Sequence, residues 1–208
     1  MLKIFWADIS ALEPDSIDIP ISDYRRIKLE KTKNPLRKKQ GLGAEMLLIE
    51  AMKSVAPGVK PPFEIGKGEF DKPFFSDIPL CFSLSHSGDF AACALCDAEV
   101  GIDIEHGAKY NPRLADKYYC AEEKRMLEGA RDKDRAFRQI WTAKESALKL
   151  LGTGLGGSLF SVNLQSENEI SVKDENTCFY LTRMEQETLS LCVCTQRYEE
   201  AEVNFIEF

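Results

Sequence analysis

The chain has 208 residues, 44% of them hydrophobic, enough to bury a core of ordinary density in one domain or two small lobes. Its 27 Lys and Arg against 34 Asp and Glu give a net charge of −7, which argues against a nucleic-acid partner. No apolar stretch approaches the roughly 20 residues needed to span a bilayer, and Met1-Leu2-Lys3-Ile4-Phe5-Trp6-Ala7-Asp8 meets an acid too early for a signal peptide, so no membrane contact and a cytoplasmic location are expected.

Along the chain, Leu2 to Trp6 reads as a first strand and Tyr24 to Lys33 as a helix. Leu42 to Val55 is a strongly apolar helix that Pro57-Gly58 terminates. After Phe63 to Ile65 and a polar turn come three strands: Cys81 to Leu84 with half-buried alternation, Ala91 to Cys96, and Val100 to Glu105. Helices follow over Arg113 to Tyr119, Ala121 to Gly129 and Ala136 to Leu151, then strands near Phe160 to Leu164, Cys178 to Arg183 and Leu189 to Cys194. This order predicts two α+β lobes, 1–100 and 101–208, packed closely because no Pro-, Gly- or Ser-rich linker separates them.

Seven cysteines, an odd number, sit largely in apolar runs, which predicts buried thiols in a reducing compartment rather than a disulfide framework. Cys93 and Cys96 have C-x-x-C spacing, but no second Cys/His pair accompanies them, and core cysteine is the better reading. Two histidines, His86 and His106, exclude a His-rich metal site by count. Eight basic residues between Arg25 and Lys39 face a single acid, Glu30, so this stretch is either a local anion-binding surface on an acidic protein or a solvated helix face without a role. Without interleaved aromatics it suits a small polyphosphate or an acidic protein better than nucleic acid.

Three constellations bear chemistry. In Gly101-Ile102-Asp103-Ile104-Glu105, strand alternation sends Ile102 and Ile104 into the core and projects Asp103 and Glu105 together on the other side, where they are expected to face solvent. Two carboxylates on one face either line an exposed strand or share a hard divalent cation such as magnesium. In Trp141-Thr142-Ala143-Lys144-Glu145-Ser146-Ala147-Leu148-Lys149, Trp141, Glu145 and Leu148 share one helix side, so Glu145 emerges beside an apolar stripe. It either pairs with Lys149 at i+4 or serves as a metal ligand or base, with Lys144 and Lys149 holding phosphate. Phe82-Ser83-Leu84-Ser85-His86-Ser87-Gly88 is a strand ending in hydroxyls, an imidazole and a glycine, either a plain turn or a set of anion donors. Gly152-Thr153-Gly154-Leu155-Gly156-Gly157 lacks the lysine of a Walker loop and follows a helix, so it reads as a helix stop and a mobile loop. Ser85-His86-Ser87-Gly88 lacks the frame of a nucleophile elbow.

The ordered set of Lys72-Pro73, Phe82 to Gly88, Gly101 to Glu105 and Trp141 to Ser146 with Lys149 resembles the 4′-phosphopantetheinyl transferase superfamily, in its longer single-chain type that activates peptide synthetases. The 42 positions between Asp103 and Glu145 suit that type, and the likeness runs from about Tyr24 to about Phe160. The chain has Asp71 where the family often has glycine before the lysine–proline pair. The resemblance implies an α+β fold of two similar lobes packed as a pseudo-dimer with the active site in the cleft between them. It implies Asp103, Glu105 and Glu145 around Mg2+; Lys144, Lys149, His86 and Ser85 near the phosphates of coenzyme A; and Lys72 by the nucleotide. The reaction implied is attack of a serine of an acyl or peptidyl carrier protein on the β-phosphate bearing the pantetheine arm, expelling 3′,5′-ADP, by a monomer. Glu145 is the family-like proton acceptor, with Lys149 its catalytic companion. Two rivals remain at this point: a coenzyme A-binding module without activity, and a metal-dependent phosphohydrolase.

Overall fold

The computed structural model describes residues 1–14, 17–153, 159–173 and 177–208. The strand β1 (Leu2–Asp8) leads to the helices α1 (Asp23–Lys31) and α2 (Pro35–Val55). A short pair, β2 (Ile65–Lys67) and β3 (Pro73–Phe75), precedes β4 (Cys81–Ser87), β5 (Phe90–Cys96) and β6 (Val100–His106). Three helices follow, α3 (Pro112–Tyr118), α4 (Ala121–Gly129) and α5 (Lys133–Leu151), and then β7 (Val162–Ser166), β8 (Glu169–Val172), β9 (Cys178–Glu185), β10 (Leu189–Thr195) and β11 (Ala201–Phe205). The fold is α+β, as expected.

Two sheets stack between two long helices. The first has the order β11-β1-β5-β4 and the second β6-β10-β9-β8-β7; every pairing is antiparallel except that of β1 with β11. The last strand therefore returns to the first sheet. Strand alternation explains the continuous apolar runs, because both faces of the central strands are covered. In β5, Ala91, Cys93 and Leu95 pack under α2 residues Leu47, Leu48, Ala51 and Met52. Ala92, Ala94 and Cys96 face the other way, into a core shared with Ile102, Ile104, Leu191 and Val193 of the second sheet. Cys93 and Cys96 thus belong to different cores, which removes a joint redox or zinc role. On the far side of the second sheet, Cys192, Cys194 and Leu181 meet Ile140, Ala143, Ala147 and Leu148 of α5.

The edge strands β4 and β6 are joined through side chains. Alternate serines of β4 point at β6, and their hydroxyls accept its free N–H groups: Ile102 to Ser83 at 3.1 Å, Ile104 to Ser85 at 3.4 Å and His106 to Ser87 at 3.2 Å. Hydroxyls so replace the backbone carbonyls that would satisfy an ordinary sheet neighbour.

Helix ends follow local chemistry. Asn34 caps α2 through its side chain, with Pro35 in the first turn, so the helix starts seven residues before the apolar run at Leu42. Asp132 caps α5, and Gly152 ends it in the left-handed conformation at φ 69°. The expected helix stop is therefore met at Gly152; residues 154–157 of the expected loop lie outside the described residues. None of the described helices is long and apolar enough to cross a membrane.

Candidate active site

The site begins where α5 crosses β6. Gly101, Asp103 and Glu105 share the face of β6 that lies under α5, and a Cβ at Gly101 would stand 1.9 Å from the carbonyl oxygen of Ser146. Only the missing side chain lets the helix backbone come this close. Glu145 and Lys149, one turn apart, are thereby brought onto the two acids: Lys149 Nζ donates to Asp103 Oδ1 at 2.7 Å and to Ser85 Oγ at 2.8 Å. Asp103 is only 5% exposed, so the expectation that it faces solvent is wrong; the overlying helix covers it.

The acids crowd one another in a place short of water. Burial, then the nearby Asp103, pushes the Glu105 carboxyl above its ordinary value. The same two causes push Glu145 up to about 7, against the pull of Lys149. Asp103 Oδ2 and Glu145 Oε1 are buried without a hydrogen-bond partner.

The opposite wall is cationic. The cleft, of about 680 Å3, is lined by Arg25, Lys28, Lys72 and His86 as well as by Asp103, Glu105, Glu145 and Lys149. Arg25, 8% exposed, is aimed by Glu45, itself 1% exposed, whose carboxylate accepts its Nε at 3.3 Å and the Ser22 N–H at 2.8 Å. Lys28 Nζ donates to the Tyr24 hydroxyl and lies over that ring. His86 alternates to the face of β4 opposite the serines; crowding in the cleft, with the Lys149 and Arg25 cations, holds it below the ordinary imidazole value although its outer edge is open to water. Lys72 lines the cleft, but its ammonium is bonded to Glu99 and to the Leu150 carbonyl at 2.9 Å, which pins the β2–β3 segment to the end of α5. Before it, Phe70 and Asp71 adopt positive φ, 58° and 65°. A backbone of that shape favours glycine, so Phe70 and Asp71 hold a conformation that an L-residue seldom adopts.

A divalent cation fits this donor set. Hard oxygen atoms from three carboxylates face one cleft, two of those atoms lack any partner, and the ionised state of two carboxylates is disfavoured until positive charge arrives. Among the described residues, the group of three ligating side chains with atoms within 4.8 Å of one another is a different one, Cys96, Asp97 and Glu199. There the N-terminal ammonium of Met1, at 3.1 Å from Asp97 and 2.9 Å from Glu199, already supplies the counter-charge.

Comparison with known proteins now decides the class. The family model described as the 4′-phosphopantetheinyl transferase superfamily matches residues 99–204. A 4′-phosphopantetheinyl transferase of Bacillus subtilis is 29% identical over 195 residues, 89% of this chain and 87% of that protein. The AcpT transferase of Salmonella typhimurium is 35% identical over 169 residues, 77% of this chain and 78% of that protein. The Sfp transferase of Bacillus subtilis strain 168 is 32% identical over 135 residues, 61% of this chain and 60% of that protein. The chain belongs to the 4′-phosphopantetheinyl transferase superfamily.

In this member of the superfamily the cleft brings together Asp103, Glu105, Glu145, Lys149, Lys72, Ser85 and His86, but not Lys144. Lys144 is one position from Glu145 and therefore about 100° around the helix. It is fully buried on the other side of α5, its Nζ at 2.8 Å from both oxygens of Glu123 and bonded to the Val162 carbonyl, so it cannot reach a phosphate in the cleft. Ser85, too, is spent within the protein: it accepts from Ile104 and Lys149 and donates to Asp103 Oδ1 at 2.8 Å. Sequence reasoning passed over Glu45 and, within motifs it did single out, the close approach at Gly101 and the carboxylate contact of Ser87. The signal for Glu45 was an acid inside the apolar run Gly43-Ala44-Glu45-Met46-Leu47, and for Gly101 a strand glycine beside two acids.

Proposed function

We propose that this cleft performs the transfer of the 4′-phosphopantetheine group of coenzyme A to a serine of an apo acyl or peptidyl carrier protein, releasing 3′,5′-ADP, with Mg2+ held by Asp103, Glu105 and Glu145. The observation that carries the reading is the convergence of three carboxylates, two of them with unpartnered buried oxygens, with Arg25, Lys28 and Lys149 in one cleft. Magnesium would supply charge neutralisation at the pyrophosphate. Arg25 and Lys28 bind phosphate oxygens from the wall opposite, and Arg25 arrives pre-aimed by Glu45, so little side-chain freedom is lost on binding. Lys149 sits on Asp103 and Ser85 and can turn its one remaining donor toward the departing phosphate, where negative charge grows. Glu145 also lines the cleft beside Lys149, where it can take the serine proton directly or through a water.

Lys72 and His86 come from before residue 100 and the acids with Lys149 from after it, in keeping with two lobes meeting at the cleft, although β11 returns to the first sheet. Seven unpaired thiols support a reducing, cytoplasmic setting.

The test is chromatographic detection of 3′,5′-ADP from coenzyme A. Release that needs both an apo carrier protein and Mg2+ supports transfer. Phosphate or phosphopantetheine released without a carrier would instead mean hydrolysis, and no release with coenzyme A still bound would mean a binding module.

A further inference from the structure

The rungs between β4 and β6 repeat one unit. Each serine hydroxyl accepts the N–H of one β6 residue and stands beside the side chain of the residue before it. At the first rung that side chain is absent, because it is Gly101, and Ser83 accepts the Ile102 N–H alone at 3.1 Å. At the second, Ser85 accepts from Ile104 and donates to Asp103. At the third, Ser87 accepts the His106 N–H at 3.2 Å and donates to Glu105 Oε2 at 2.7 Å.

We infer that Ser87 is a positioning residue for the proposed metal site, fixing the Glu105 carboxylate through its hydroxyl while tying the two sheets together. The chemistry leaves the hydroxyl little choice. A serine oxygen has one hydrogen; with the His106 N–H occupying a lone pair, that hydrogen is directed to the carboxylate beside it. Glu105 is then held by one oxygen, and its second oxygen is left to face the cleft. A long glutamate side chain without this bond would sample several rotamers, and a cation would have to select one of them. Because the donor is on the first sheet and the carboxylate on the second, the geometry of the acids is set by the junction of the sheets.

The inference rests on the reading of Asp103, Glu105 and Glu145 as a cation site, and the experiment separates the two. Mn2+ binding is measured by electron paramagnetic resonance in the presence of coenzyme A for the whole chain, alongside thermal unfolding. Ser87→Ala should weaken Mn2+ binding about tenfold, and Ser87→Thr, which keeps the hydroxyl, should restore it. Ser83→Ala loses the same kind of rung but no carboxylate contact, so it should lower Tm by a similar amount and leave Mn2+ affinity within about twofold. Should Ser87→Ala fail to fold, Ser87→Cys keeps the shape with a weak donor and should still bind Mn2+ less tightly. Loss of Mn2+ binding in Glu105→Ala with none in Ser87→Ala or Ser87→Cys overturns the positioning role alone. Unchanged Mn2+ binding in Glu105→Ala overturns the cation site itself.

Discussion

At the scale of single residues, Glu145 and Lys144 show how one helix position changes the meaning of a side chain. Glu145 faces the cleft, and its folded-state pKa of about 7 lies above the ordinary carboxylate value. A raised carboxylate favours the neutral form, so ionising it costs folding free energy that is absent below about pH 4.5, grows through neutrality and is complete above 7. In metal-free buffer Glu145→Gln should therefore be more stable than the natural chain at pH 8, by at most about 3 kcal/mol, with the gap closing toward pH 4.5. Thermal unfolding across that range in EDTA checks it, and a gap that widens as pH falls would contradict the sign. Lys144 faces away and is paired with Glu123 inside the core. Lys144→Met should cost about 3 to 5 kcal/mol of stability by stranding a buried carboxylate. Its kcat/KM per folded molecule should stay within about threefold, because nothing in the cleft depends on Lys144. A hundredfold fall in kcat/KM with an unchanged Tm would restore it to the phosphate site.

At the scale of elements, the decisive contact is α5 over β6. Gly101→Ala puts a methyl group into the space of the Ser146 carbonyl and the Leu150 amide, both backbone atoms that cannot rotate aside. The helix must shift, carrying Glu145 and Lys149 with it, so the variant should lose at least about 5 °C in Tm and most of its activity together. Differential scanning fluorimetry with a transfer assay tests this coupling. Much of this layer was legible in the sequence: the alternation Ile102, Ile104 against Asp103, Glu105 is as the pattern required, and the apolar stripe beside Glu145 packs on the second sheet. The missed elements have physical reasons. The start of α2 is basic and exposed, so it lacks apolar periodicity and is set by the Asn34 cap and Pro35. Strands β2, β3 and β8 have only three or four residues, too few to show a period. Strand β11 is read neither from its length nor from its composition, because its place beside β1 is a long-range pairing across 199 positions.

At the scale of the molecule, the catalytic reading depends on two sheets meeting at their edges. The serine rungs between β4 and β6 place cationic side chains of the first part of the chain across from the carboxylates of the second, which no local pattern could reveal. The motifs could be read in order along the sequence because each occupies one strand or one helix turn. What they share, a cleft with positive charge on one wall and three acids on the other, appears only when those elements are assembled. Transfer of phosphopantetheine by this assembly onto a carrier serine is read by intact-mass spectrometry of several apo carrier proteins incubated with the folded chain, coenzyme A and Mg2+. At least one carrier should gain a single phosphopantetheine, and the gain should be abolished by EDTA, by replacing the carrier serine with alanine, or by Glu105→Ala. Unmodified masses for every carrier while coenzyme A binds with full affinity, or a gain undiminished in EDTA, would contradict this reading of the cleft.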